Sequence, residues 1–200
     1  MIKHKFAAAL VLLLASSISA EAQQQAQQPA YVVKPLAEKK VSELPAGELF
    51  WRIENFPTVA QAEAAKGPNS LVAEFRGKVW LFTLGPAGQG SAGGTKVAEI
   101  GPIPRVEASQ YLLRINEAGG PPGTKTSVHT HPGPETFYVL AGEVSQKTPQ
   151  GVSRIGAGQS MVGHADTPME VSSSGTTETQ SLVMFVVDAT KPFSSPAKFD

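Results

Sequence analysis

The sequence predicts an all-β fold, a small antiparallel barrel or sandwich with a short helix and extra strands ahead of it. Three observations lead there. From Gly101 onward, short apolar segments such as "QYLLRINEAGG", "TFYVLAGEVSQKT" and "SLVMFVVDA" are separated by clusters of Gly, Pro and Ser, with no helical period among them. The last of these is apolar on both faces, as a strand covered on both sides must be. A length of 200 residues, 41 % hydrophobic and 17 % charged, suffices for one good core and is short for two, so one domain is expected.

At the N-terminus, Lys3 and Lys5 precede an apolar run from Phe6 to Ala15, and Ala20-Glu21-Ala22 supplies the small-x-small pattern of a cleavage site. Residues 1–22 therefore read as a secretory signal peptide. The apolar run is about half the roughly 20 residues needed to span a bilayer, so export to the periplasm or the medium is expected, with no stable membrane insertion after cleavage. Residues 23–47, rich in Gln, Ala and Lys and without apolar periodicity, read as a flexible arm.

An N-terminal extension follows over residues 48–104. Within it, Thr58 is the N-cap of a short helix in "VAQAEAAKG", Gln61 makes a capping box, and Gly67-Pro68 stops the helix. "SLVAEFRGKVWLFTL" alternates in part around Arg76-Gly77-Lys78, which suggests a hairpin. Its strands join the same barrel, exchange with a partner subunit, or form a degenerate second barrel. The glycine-rich "GPAGQGSAGG" lacks the spacing of a phosphate-binding loop and reads as a mobile surface loop. The barrel is expected over residues 105–190, with a tail over 191–200 that wraps its outside.

Seventeen basic residues balance seventeen acidic ones, and no basic run appears. Nucleic acid is thus not an expected partner, which leaves small molecules or proteins. Cleavage after Ala22 removes Lys3, Lys5 and Glu21 and leaves fifteen basic and sixteen acidic residues. Cysteine is absent, so the exported protein has no disulfide, thiol nucleophile or thiolate ligand. Any metal must be held by imidazole and oxygen.

The stretch "GTKTSVHTHPGPETFYVLAG", Gly123 to Gly142, holds two of the four histidines. On a strand, side chains two apart share a face, so His129 and His131 point together while Val128 and Thr130 point away. Pro132-Gly133-Pro134 turns the chain, and with Glu135 heading the next strand on its inner face, Phe137 and Val139 share that face. A bare His-x-His pair reads as an exposed strand with Glu135 solvated. Two imidazoles and a carboxylate on a rigid scaffold instead make the two-His-one-carboxylate set, which leaves open positions on a divalent metal, usually iron.

The spacing resembles the first motif of the cupin superfamily, G-x5-H-x-H-x3,4-E-x6-G, and Gly123, His129, His131, Glu135 and Gly142 match it at every defined position. The resemblance is to small single-domain bacterial cupins. It implies a double-stranded β-helix of jelly-roll type with a divalent metal (iron, manganese or copper) on His129, His131 and Glu135. The second motif, G-x5-P-x-G-x2-H-x3-N, departs from the family pattern. Counting from Gly158, the expected histidine falls on Met169, and His164 stands where the motif has proline. Met169 fills the barrel, or is a soft metal ligand favouring copper, or is replaced by His164 swinging in from its loop. A loop His164 hydrogen-bonded to Asp166 is the plainer alternative.

Two functions from different classes follow. One is an exported metal-dependent oxidoreductase of the dioxygenase type acting on a small molecule. The other is a non-catalytic module that binds a small ligand or metal. The fold does not choose between them. Tyr138, Arg114 and His164 are the candidate acids or bases. Arg114 reads as an outward residue between inward neighbours. Tyr138, opposite in parity to Glu135, packs between sheets or in a homodimer contact.

Overall fold

The computed structural model describes residues 30–199; the signal peptide and the first residues of the arm lie outside them. The chain is built from strands β1 (Val32–Val41), β2 (Leu49–Phe56), β3 (Ser70–Phe75), β4 (Lys78–Gly85), β5 (Thr95–Ile103), β6 (Tyr111–Gly120) and β7 (His129–Thr130). They continue with β8 (Glu135–Ala141), β9 (Glu143–Thr148), β10 (Gly151–Gly156), β11 (Ser160–Gly163), β12 (Glu170–Ser173), β13 (Thr179–Asp188) and β14 (Ser195–Pro196). A helix, α1 (Val59–Ala65), joins β2 to β3. Thr58 caps it by accepting a hydrogen bond from the Gln61 amide at 3.2 Å. The Gln61 side chain meets the Thr58 hydroxyl itself, 3.0 Å away, rather than completing a box on the backbone.

A five-stranded antiparallel sheet, in the order β1-β6-β13-β8-β11, stands at the centre of the molecule. Period-two alternation gives it two apolar faces. Leu113, Ile115, Leu182, Met184 and Val186 point one way, into a core shared with Trp51, Ile53, Trp80 and Phe82 of the four-stranded sheet β3-β4-β2-β5. Phe137, Val139, Val183, Phe185 and Val187 point the other way and pack with Val144 and Val171 of the small sheet β10-β9-β12. This is why β13 is apolar on both faces from Leu182 to Val187. The hairpin at Arg76-Gly77 is present, and its strands form neither barrel strands nor a second barrel. They belong to a separate sheet laid on the barrel's back.

Two expectations are corrected. Residues 32–41, read as part of a flexible arm, form β1, paired along β6 from Val32–Gly119 to Val41–Tyr111 with an irregularity at Pro35. The strand is exposed at the sheet edge and carries the Lys and Pro residues that blunt such edges, so it has little alternation to read. The "GPAGQGSAGG" loop, expected to be mobile, is tied down. Ser91 donates from its backbone and hydroxyl to the buried Glu54 carboxylate, and the Gly88 amide donates to Glu99 at 3.0 Å.

Candidate functional site

His129 lies on β7, which pairs on one side with β14 and, through reciprocal backbone bonds of 3.0 and 2.9 Å, with Met169 on the other. The link from His131 to Glu135 is laid against β13, whose Val186 and Asp188 amides donate to the carbonyls of Pro134 and Pro132. Only glycine fits between them, because a Cβ on Gly133 would come within 2.1 Å of the Val186 carbonyl oxygen. The turn is thereby pressed into the sheet, and Glu135 enters β8 with its side chain facing inward beside Phe137 and Val139.

The two imidazoles meet edge to face, ring centres 5.0 Å apart. The His129 Nδ1 lies 2.8 Å from the Ser127 carbonyl and the His131 Nδ1 lies 2.6 Å from the Phe193 carbonyl. A carbonyl only accepts, so each Nδ1 carries a proton, and in the neutral ring Nε2 presents a lone pair. The His131 Nε2 is 3.9 Å from Glu135 Oε2. Glu135 is fully enclosed; Gln146 Nε2 donates to its Oε1 at 2.6 Å and also approaches the Met169 sulfur at 3.4 Å.

Burial sets the protonation of both groups. It pushes the Glu135 carboxyl up to about 8, against the opposing effect of the Gln146 hydrogen bond. It brings His131 down to about 4; the Phe193 carbonyl opposes this, while His129 and Arg114 add to it.

His129, His131 and Glu135 share a cavity of about 240 Å³ with Tyr31, Asn116 and the apolar walls of Phe137, Phe185 and Phe193. As placed, no three His, Asp or Glu side chains of the described residues are arranged to hold an ion. Met169 is buried and opposite His129 in register, so the two side chains share a face. His164 is exposed, and its side chain does not line the cavity. Tyr138 packs in the core between the two large sheets.

Arg114 corrects the expectation that it points outward. Its inward neighbours Leu113 and Ile115 serve the other core, and its guanidinium lies 4.4 Å from the Phe193 ring centre with Nε 3.2 Å from Asn116 Oδ1. Phe193 in turn packs on His131, ring centres 4.7 Å apart. The tail therefore does not merely wrap the outside; it forms a wall of the site. Gln146, Phe193, Asn116 and Tyr31 were not found from the sequence, and only the even spacing of Arg114, Asn116 and Ala118 on one strand hinted at a shared face.

Residues 120–186, a third of the chain, match the family model described as "Cupin domain". Among curated proteins none matches the chain. Solved structures similar to it include a conserved protein of unknown function from Streptococcus pyogenes, at 24 % identity and TM-score 0.35 over 38 % of this chain and 64 % of that one. The DMSP lyase DddQ from Ruegeria pomeroyi is 21 % identical with TM-score 0.38 over 42 % of this chain and 43 % of its own. A conserved protein with a double-stranded β-helix domain from Klebsiella pneumoniae is 19 % identical with TM-score 0.38 over 43 % of this chain and 75 % of that one. The chain thus spans less than two thirds of the first two, and each likeness covers less than half of this chain. The family match falls on the strands and the histidine motif just described, and over residues 120–186 the barrel is similar to the cupin domain.

Proposed function

We propose that the chain is an exported, metal-dependent cupin that acts on a small molecule held beside His129, His131 and Glu135, as an oxidoreductase of the dioxygenase type. One observation carries the metal reading. Both imidazoles spend Nδ1–H on a main-chain carbonyl, which leaves Nε2 of each neutral ring free as a donor atom, that of His131 3.9 Å from the buried Glu135 carboxylate. Outer hydrogen bonds of this kind fix the tautomer and orientation of metal-binding histidines. The donor set of two neutral imidazoles and one carboxylate fits a first-row divalent ion. Binding calls for some movement of these side chains from their present positions.

A divalent ion there would supply a Lewis acid with open positions for substrate or dioxygen. The chain's own residues do the rest. Phe193 and Ser127 orient the rings, Gln146 holds the carboxylate, and the phenylalanine walls exclude water. Glu135, protonated near neutral pH by its burial, gives up its carboxyl proton when a cation arrives.

A second reading, a non-catalytic ligand- or metal-binding module, is favoured by Met169. A thioether that already approaches Gln146 stands where the family has its fourth imidazole. Metal analysis of protein purified from the exported fraction without added metal tests the proposal, followed by dioxygen uptake with candidate small molecules. Stoichiometric iron, manganese or copper is expected. A folded, metal-free protein that takes up no added metal would leave the binding module. Export itself is tested by N-terminal sequencing, with Gln23 expected first and a Met1 start overturning it.

A further inference from the structure

Tyr31 precedes β1 and lies outside the span matched by the family model. Pairing of β1 with β6 sets Val33 opposite Ala118 and Pro35 opposite Asn116, so the alternating side chains Tyr31, Val33, Asn116 and Ala118 face the cavity together. Gly120 lets the Tyr31 segment lie flat on β6, since a Cβ there would come within 2.8 Å of the Ala30 carbonyl oxygen. The phenol oxygen is buried yet has no hydrogen-bond partner among the described residues. The Ser181 hydroxyl lies close enough to influence it, but donates to the Ala118 carbonyl at 2.8 Å and makes no bond of acceptable geometry with the phenol.

A buried hydroxyl without a partner is costly, and a fold keeps one when something else completes it. We propose that Tyr31 contacts the ligand, donating its phenol proton to a carbonyl or carboxylate oxygen of a compact molecule whose apolar body packs against Phe137, Phe185 and Phe193. Among the described residues no Lys or Arg side chain lines the cavity, so the acceptor oxygen meets neutral donors from Tyr31 and Asn116. The space of about 240 Å³ takes a substituted ring, given that an apolar cavity of roughly 150 Å³ takes benzene. The inference rests on reading this cavity as the ligand site.

Benzoate and toluene are the probes, titrated calorimetrically into the full mature chain as wild type and as Tyr31→Phe, with metal content and melting measured on the same preparations. The variant should bind benzoate about 10- to 100-fold more weakly, the loss for one hydrogen bond to a charged acceptor, and bind toluene as before. Its metal content should be unchanged and its melting no lower, because the substitution removes only an unpartnered hydroxyl. Equal benzoate affinity in both proteins overturns the role of Tyr31. A lower melting temperature with parallel loss of both probes shows a structural tyrosine and overturns it equally, and failure of wild type to bind benzoate overturns the ligand class. Absence of metal from wild type removes the metal reading alone, because the comparison of the two probes needs no ion.

Discussion

At Glu135 two effects oppose each other, and pH separates them. Its folded value of about 8 lies above the ordinary 4.5, so the folded protein binds the extra proton, and the associated stability is lost as pH rises from 4.5 through 8. His131 runs the other way: with a folded value of about 4 below the ordinary 6.5, its stability is present above 6.5 and lost as pH falls through 4. The two largely cancel between 4.5 and 6.5, and only Glu135 acts from 6.5 to 8. Metal-free protein is therefore expected to lose of order 2 kcal/mol across that upper window, measurable by chemical denaturation, and Glu135→Gln should flatten the slope. A flat wild-type profile would mean that the carboxyl is not desolvated as described. Space matters as much as charge here. Gly163 lies opposite Glu135 in register, and a Cβ on it would sit 3.0 Å from Glu135 Cγ and 3.1 Å from Gln146 Nε2. Gly163→Ala should displace the Glu135–Gln146 pair and weaken metal uptake roughly 10-fold or more, as loss of an outer partner does. Unchanged titration by a divalent ion would show that the pair shifts freely. The histidines and Glu135 were legible because period two and the motif spacing are local. Gln146 and Tyr31 were not, because packing of a second sheet brings the one to the cavity and pairing of strands distant in the chain brings the other.

Elements carry the same distinction. The hairpin at Arg76-Gly77 and the capped helix at Thr58 follow from turn and cap chemistry within a few residues, and both were readable. β1 and β14 were not. Each draws its order from partners far along the chain, β1 from β6 and β14 from β7. The short pairing of β14 has consequences for the site. It begins two residues after Phe193, whose carbonyl fixes His131 and whose ring packs between that imidazole and Arg114. Backbone and side chain can be tested apart. Phe193→Ala keeps the carbonyl and should leave metal affinity within a fewfold of wild type while opening the cavity wall. Removal of residues 193–200 takes away the carbonyl as well and should cost about 10- to 100-fold in metal affinity. Equal effects from both changes, read by competitive metal titration, would assign the whole contribution to the ring.

For the molecule as a whole, the central sheet must be covered twice, and this decides how it unfolds. The face carrying Phe137, Val183 and Phe185 closes over the site, while the face carrying Leu113, Leu182 and Met184 is covered by the β3-β4-β2-β5 sheet. The sequence showed that β13 is buried on both faces but not what covers the second one, since a period-two pattern reports burial and not the partner. Alternate residues of a single strand thus belong to separate cores, and a substitution can address either. Met184 is fully buried on the back face. Met184→Ala is expected to cost about 2–5 kcal/mol through lost transfer energy and a residual cavity. Its side chain points away from the cavity, so benzoate and metal titrations below the melting range should match wild type. Because the extension and the barrel meet in one continuous core, both should melt together, in wild type and variant alike, with fluorescence of Trp51 and Trp80 in the back sheet tracking the loss of far-ultraviolet strand signal. A variant in which the tryptophan signal is lost at lower temperature than the strand signal would show that the extension folds as an independent unit and that the shared core contributes less than its burial implies.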